Sequence, residues 1–220
     1  MRVVIAGGHG QIALLIEELL AGRGDEPVGL IRDPAQGDDL RHVGATPVVF
    51  DLEHSTADEL VTHLDGADAV VFAAGAGPGS GAARKETVDR DGAVLLADAA
   101  EAAGVRRYVL ISSVGAGTEP DEAAVGATFA AYLRAKTAAE ESVRPRTGLD
   151  VTIVRPGRLT DDPPIGTVEL GPDVARGDIT RADTAAVVVG ALDRPASAGA
   201  TFTVIGGDVP IGEALDAICS

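Results

Sequence analysis

Tyr132 and Lys136 stand four positions apart in a stretch, Ala127 to Val143, whose composition predicts a helix, so their side chains share one face. An ammonium group beside a phenol favours the phenolate. A phenol tuned in this way can pass a proton to or from a substrate oxygen. The chain holds only two lysines and two tyrosines, so this spacing carries more weight than it would in a lysine-rich sequence. The plainer alternative has Tyr132 packing its ring and Lys136 pairing with Glu140 at the surface.

A second chemical pattern opens the chain. The apolar run Arg2-Val3-Val4-Ile5-Ala6 leads into Gly7-Gly8-His9-Gly10-Gln11-Ile12-Ala13, and Leu14 to Ala21 is apolar at helical spacing until Gly22 stops it. Strand, glycine turn and helix is the context in which such glycines cradle a pyrophosphate. Gly7 takes the sharp turn, Gly10 leaves room for the phosphates, and Ala13 lets the helix pack close. The helix start then offers free N–H groups to the anion. The next apolar run, Pro27 to Ile31, ends in Arg32-Asp33. Because the arginine comes first, a 2′-phosphate is favoured over a free ribose, hence NADP(H) over NAD(H). Asp51 and Leu52, after the third run, are candidates to border the adenine, although Asp51 could equally shape its own loop.

The remaining elements alternate. Strands are predicted at 46–50, 67–74, 106–111, 150–154 and 200–205, and helices at 38–43, 57–64, 82–103, 127–143, 183–192 and 211–218. Ser55 or Thr56 caps the 57–64 helix. The small residues Ala73, Ala74 and Gly75 continue into a Gly-rich turn, 75–81, which lets the chain pass close to a bound cofactor. Residues 114–126 read as a loop, and 159–174 as an irregular, Pro-rich segment on the substrate side. This alternation predicts an α/β fold, a doubly wound parallel sheet with helices on both faces.

Composition narrows the partners. A formal charge of −16 argues against nucleic acid and anionic membranes as ligands. One cysteine, Cys219, gives no disulfide framework, and the histidines lack ligand spacing, so no metal site is expected. With no signal-peptide pattern and no bilayer-length apolar run, a cytoplasmic setting is expected.

In order and spacing these pieces resemble the short-chain dehydrogenase/reductase family, and most closely its atypical, short members grouped as NAD(P)-dependent epimerase/dehydratases. The resemblance covers essentially the whole chain. It rests on the glycine turn, Ser112-Ser113, Tyr132 with Lys136, Arg155-Pro156-Gly157, and Ile179-Thr180-Arg181-Ala182-Asp183. It implies a Rossmann fold in one domain, 1–220, with a small substrate-side segment within about 155–180. It implies Ser113 as the residue orienting substrate, Tyr132 as acid/base, and Lys136 also holding the nicotinamide ribose. Asp89 stands where standard members carry Asn, and a carboxylate cannot donate the hydrogen bond of that relay. Arg155-Pro156-Gly157 would line the nicotinamide pocket.

The function expected is hydride transfer between NADP(H) and a small carbonyl, quinone or flavin-like acceptor, by a monomer or homodimer. The short stretch after the sixth strand leaves no room for the larger substrate domain of extended sugar-nucleotide epimerases. Two alternatives stand beside it: a dinucleotide-binding sensor without chemistry, and an epimerase or dehydratase that regenerates its own cofactor.

Overall fold

The computed structural model describes residues 1–77, 79–172 and 174–219, so Pro78 of the predicted 75–81 turn and Asp173 of the predicted irregular segment lie outside the described residues. In chain order the elements are β1 (Arg2–Ala6), α1 (Gln11–Gly22), β2 (Glu26–Ile31), α2 (Gly37–His42), β3 (Thr46–Val49), α3 (Ala57–Val61) and β4 (Ala69–Phe72). A short helix α4 (Ala82–Arg84) then passes through a π-helical stretch, Lys85–Asp91, into α5 (Gly92–Ala103), followed by β5 (Arg107–Ile111), α6 (Glu122–Val125), α7 (Ala127–Val143) and β6 (Asp150–Pro156). The last part comprises β7 (Arg158–Thr160), β8 (Thr167–Gly171), β9 (Asp178–Thr180), α8 (Arg181–Leu192), β10 (Thr201–Gly206), β11 (Val209–Pro210) and α9 (Ile211–Ile218).

The central strands are apolar throughout because both faces of the sheet are covered. In β1, Val3 and Ile5 enter one core, with Ile16 and Leu20 of α1 and Val187 and Val188 of α8. Val4 and Ala6 enter the other, with Leu60 of α3, Leu96 of α5 and Val143 of α7. The sheet order is β11-β8-β10-β6-β5-β4-β1-β2-β3. Strands β3 to β6 and β10 run parallel, and the order reverses between β1 and β4, where α/β sheets open a ligand crevice.

The expected doubly wound α/β sheet is present, with one antiparallel edge where β8 pairs with β10 and β11. Two expectations need correction. The segment 159–174 is not irregular throughout, since it contains part of β7 and all of β8. These strands are short and flanked by proline and glycine, so their alternation (Val168 buried, Glu169 exposed) is masked. The long 82–103 helix is interrupted by the π-helical stretch, a rare form that is frequently found at functional sites.

Candidate active site

A cleft of about 1370 Å³ runs along the carboxyl ends of the strands, from Arg32 after β2 to Gly157 after β6. The glycine turn forms its floor. Gly7 holds φ at +83°, and a Cβ there would lie 2.6 Å from the Ala74 Cα, so both backbone freedom and close approach demand glycine. Gly10 starts α1 without a side-chain cap, leaving the first-turn amides to a ligand. Gly7, His9, Gly10, Gln11 and Ile12 all line the cleft, as do Ala73, Ala74 and Gly75. Gly8 does not. Its N–H bonds the Leu30 carbonyl at 2.9 Å, and a Cβ there would fall 2.6 Å from the Gly29 Cα, so it serves the packing of α1's approach against β2. An uncapped helix N-terminus behind a glycine cradle fits a pyrophosphate.

Of the two tyrosines, Tyr108 is wholly buried and its hydroxyl donates to the Ala93 carbonyl at 2.9 Å. Tyr132, in the second turn of α7, lines the cleft. One turn further on, Lys136 is 3% exposed, with Nζ donating to the Ile111 carbonyl at 3.2 Å and the Ala74 carbonyl at 3.4 Å. It lies 5.7 Å from the centre of the Tyr132 ring. Asp89, fully buried on the π-helical stretch, faces this ammonium at 3.3 Å through Oδ1, while Oδ2 accepts the Ala76 N–H at 3.1 Å. Asp89 therefore fixes Lys136 and the loop after β4. The other lysine was missed in the sequence. Lys85, 8% exposed, lies 5.4 Å from the same ring and donates to the Gly77 carbonyl at 3.0 Å. The chain's entire lysine complement is thus buried against one tyrosine ring, within cation–π range.

Comparison with known proteins agrees with this geometry. The profile of a family described as NAD(P)H-binding matches residues 7–195. The chain belongs to that family, as an atypical short-chain dehydrogenase/reductase. YhfK of Bacillus subtilis, named an uncharacterized sugar epimerase, is 33% identical over 216 residues, covering 98% of this chain and 99% of its own. A Bacillus halodurans protein, provisionally called an NAD-dependent epimerase/dehydratase, superposes with a TM-score of 0.89 at 36% identity, covering 99% of both chains. The oxidoreductase YlbE of Lactococcus lactis superposes at 0.83 with 27% identity, covering 99% of this chain and 96% of its own.

In this short-chain dehydrogenase/reductase the two serines after β5 have separate tasks. Ser113 lines the cleft, and its hydroxyl makes only a 3.3 Å bond to the Val114 carbonyl. Ser112 is buried and donates to Glu140 Oε1 at 2.6 Å. Glu140 is itself 1% exposed and also accepts from Arg155 Nε at 2.9 Å and an Arg144 guanidinium nitrogen at 2.9 Å. Arg155 is therefore turned away from the cleft, while Pro156 and Gly157 line it. Glu140 is not Lys136's partner but the knot joining α7 to the ends of β5 and β6.

At the far end of the family's cofactor cleft, Arg32 lines the wall and Asp33 does not. The Asp33 carboxylate accepts the Ala35 N–H at 2.9 Å, capping a turn. Arg32 contacts Glu53 at 3.2 Å, and Arg84 holds the same carboxylate at 2.8 Å. The Arg84 bond keeps Glu53 below the usual carboxylate range. Neither Asp51 nor Leu52 lines the cleft: Asp51 accepts the Glu53 N–H at 2.9 Å and contacts His54, and Leu52 packs on the core. Among the described residues no cluster of three or more His, Cys, Asp or Glu could hold a metal. Likewise no helix is long and apolar enough to cross a membrane.

Proposed function

We propose that this protein is an NADPH-dependent reductase acting on a small carbonyl or quinone-like acceptor. The observation that carries the reading is Tyr132, whose hydroxyl has no hydrogen-bond partner among the described residues and whose ring lies within 5.4 and 5.7 Å of the two lysine Nζ atoms at the cleft. When bound, the nicotinamide supplies hydride. Every other requirement falls on the chain. Tyr132 delivers a proton to the acceptor oxygen as the carbon is reduced. Lys85 and Lys136 stabilise the negative charge left at the ring, in a site where they need not reorganise. Ser113 is free to rotate its hydroxyl toward the same oxygen, whereas Ser112 is committed to Glu140.

The fit of residues to dinucleotide is good at both ends. Gly7, Gly10 and the open start of α1 match the pyrophosphate, and Lys136, which lines the same cleft, would hold the nicotinamide ribose. The NADP preference rests on Arg32, which faces the cleft, and on Asp33, whose carboxylate is already engaged in its turn. Asp89 does not extend a proton relay. Its role in this reading is to position Lys136.

The test is calorimetric titration with NADPH and NADH, followed by NADPH oxidation with a panel of carbonyl and quinone acceptors. NADPH binds more tightly than NADH, and Tyr132→Phe lowers kcat by roughly 10²–10⁴-fold with NADPH affinity unchanged. Undiminished turnover in Tyr132→Phe removes the acid/base assignment. The name carried by YhfK favours a second reading, epimerisation of a sugar at the same residues. That reading requires nicotinamide retained through purification and no consumption of added NADPH.

A further inference from the structure

The chain carries 18 Lys and Arg against 34 Asp and Glu. In such an excess of acid every cation has a choice of partners, and nearly all have taken one. Even the arginines at the substrate end of the cleft are held: Arg158 pairs with Asp178, and Arg181 with Asp161 at 2.7 Å. Arg176 is the exception. Among the described residues it alone of the 18 makes no hydrogen bond or ion pair, and it lines the cleft.

Its position is fixed by backbone. The Arg158 N–H donates to the Gly177 carbonyl at 2.9 Å, and a Cβ on Gly157 would lie 2.3 Å from that carbonyl oxygen. Glycine at 157 thus lets the chain bearing Arg176 lie directly on the wall after β6. From there its guanidinium reaches toward Gly115, where a Cβ would be 3.8 Å from Nη2, only two residues beyond Ser113. The same cleft also has apolar lining: Phe129 is 45% exposed, its ring 5.5 Å from that of Tyr132 and tilted 33° to it, and Leu159 and Val114 line the cleft as well.

We propose, building on the reductase reading, that the acceptor is an anion: a planar, apolar carbonyl compound bearing a carboxylate, whose body lies against Phe129 and whose charge is received by Arg176. A net charge of −16 repels an approaching anion at long range, so a local, unneutralised guanidinium is what such a ligand needs. A carboxylate also matches the planar, paired donors of arginine.

The probe is 2-naphthoate with its neutral counterpart 2-naphthamide, titrated calorimetrically into the protein saturated with NADPH. Naphthoate binds about tenfold or more tightly than the amide. Arg176→Met removes that difference, Arg176→Lys restores part of it, and NADPH affinity stays constant in both. Phe129→Ala weakens acid and amide alike. Equal binding of the two probes by the unaltered protein, or an equal loss of both in Arg176→Met, overturns the proposal. If NADPH itself does not bind, the reductase reading fails. The two probes are then titrated into the protein alone, and the acid-to-amide ratio still decides the role of Arg176.

Discussion

Glu17 lies in the middle of α1 with no exposed surface and neither carboxyl oxygen hydrogen-bonded. It is wedged behind the glycine turn: a Cβ on Gly29 would come within 2.4 Å of Oε1, and one on Gly8 within 3.0 Å. Burial pushes its carboxyl from 4.5 up to about 8. The folded state therefore holds a proton that the unfolded chain releases above about 4.5. Below that pH the group is neutral in both states and costs nothing. As pH rises toward 8 the unfolded state gains by ionising, and stability falls. Each unit is worth about 1.4 kcal/mol, so the penalty is about 3 kcal/mol at pH 7 and approaches about 5 kcal/mol above pH 8. Glu17→Gln keeps the shape and removes the titration. At pH 7 it raises Tm by roughly 6–12 °C, at pH 8 by more, and at pH 4.5 the two proteins melt together. Urea unfolding of both across pH 4.5–8.5 gives the difference curve, from which titrations common to both cancel. A flat difference curve would falsify the assignment. In the folded protein the carboxylate appears only as pH passes about 8, behind the phosphate cradle, so NADPH affinity of the unaltered protein falls from about pH 8 upward, and that of Glu17→Gln does not.

Arg32→Ala weakens NADPH binding about tenfold or more and leaves NADH unchanged, read by paired calorimetric titrations. Equal effects on both dinucleotides would place Arg32 outside phosphate recognition. Glu140→Gln strips a buried carboxylate from Arg155 and Ser112 and lowers unfolding free energy by about 3–5 kcal/mol, measured by urea denaturation at pH 7. A loss below about 1 kcal/mol would show that the knot is solvated and carries little.

Legibility followed distance along the chain. The glycine turn was readable because its determinants, a positive φ at Gly7 and the open start of α1, lie within one short stretch. Tyr132 and Lys136 were readable because a helix puts such neighbours on one face. Arg155 was the right kind of residue in the right place, yet its side chain belongs to Glu140, fifteen positions earlier on another element. No local pattern announces such a partner. For Asp51 the sequence left two alternatives open, and the carboxylate is spent within its own loop. Lys85 and Glu53 were not singled out, because what gives them meaning is the approach of α7 and of Arg32. Only the rarity of lysine could have drawn attention to Lys85.

The π-helical stretch 85–91 has a consequence for how this site can be gained or lost. It widens the turn by one residue relative to the flanking α-helix, so it separates the facing of Lys85 from that of Leu96 and Ala99 in the core. Deleting one residue there would restore regular hydrogen bonding and strengthen the helix. It would also turn everything upstream by about 100°, carrying Lys85 off the tyrosine ring without touching a single core contact of α5. The cleft-facing end of this helix is thus written as a phase offset, a single insertion's worth of register. A relative that has lost that residue would have no lysine at this position against its tyrosine.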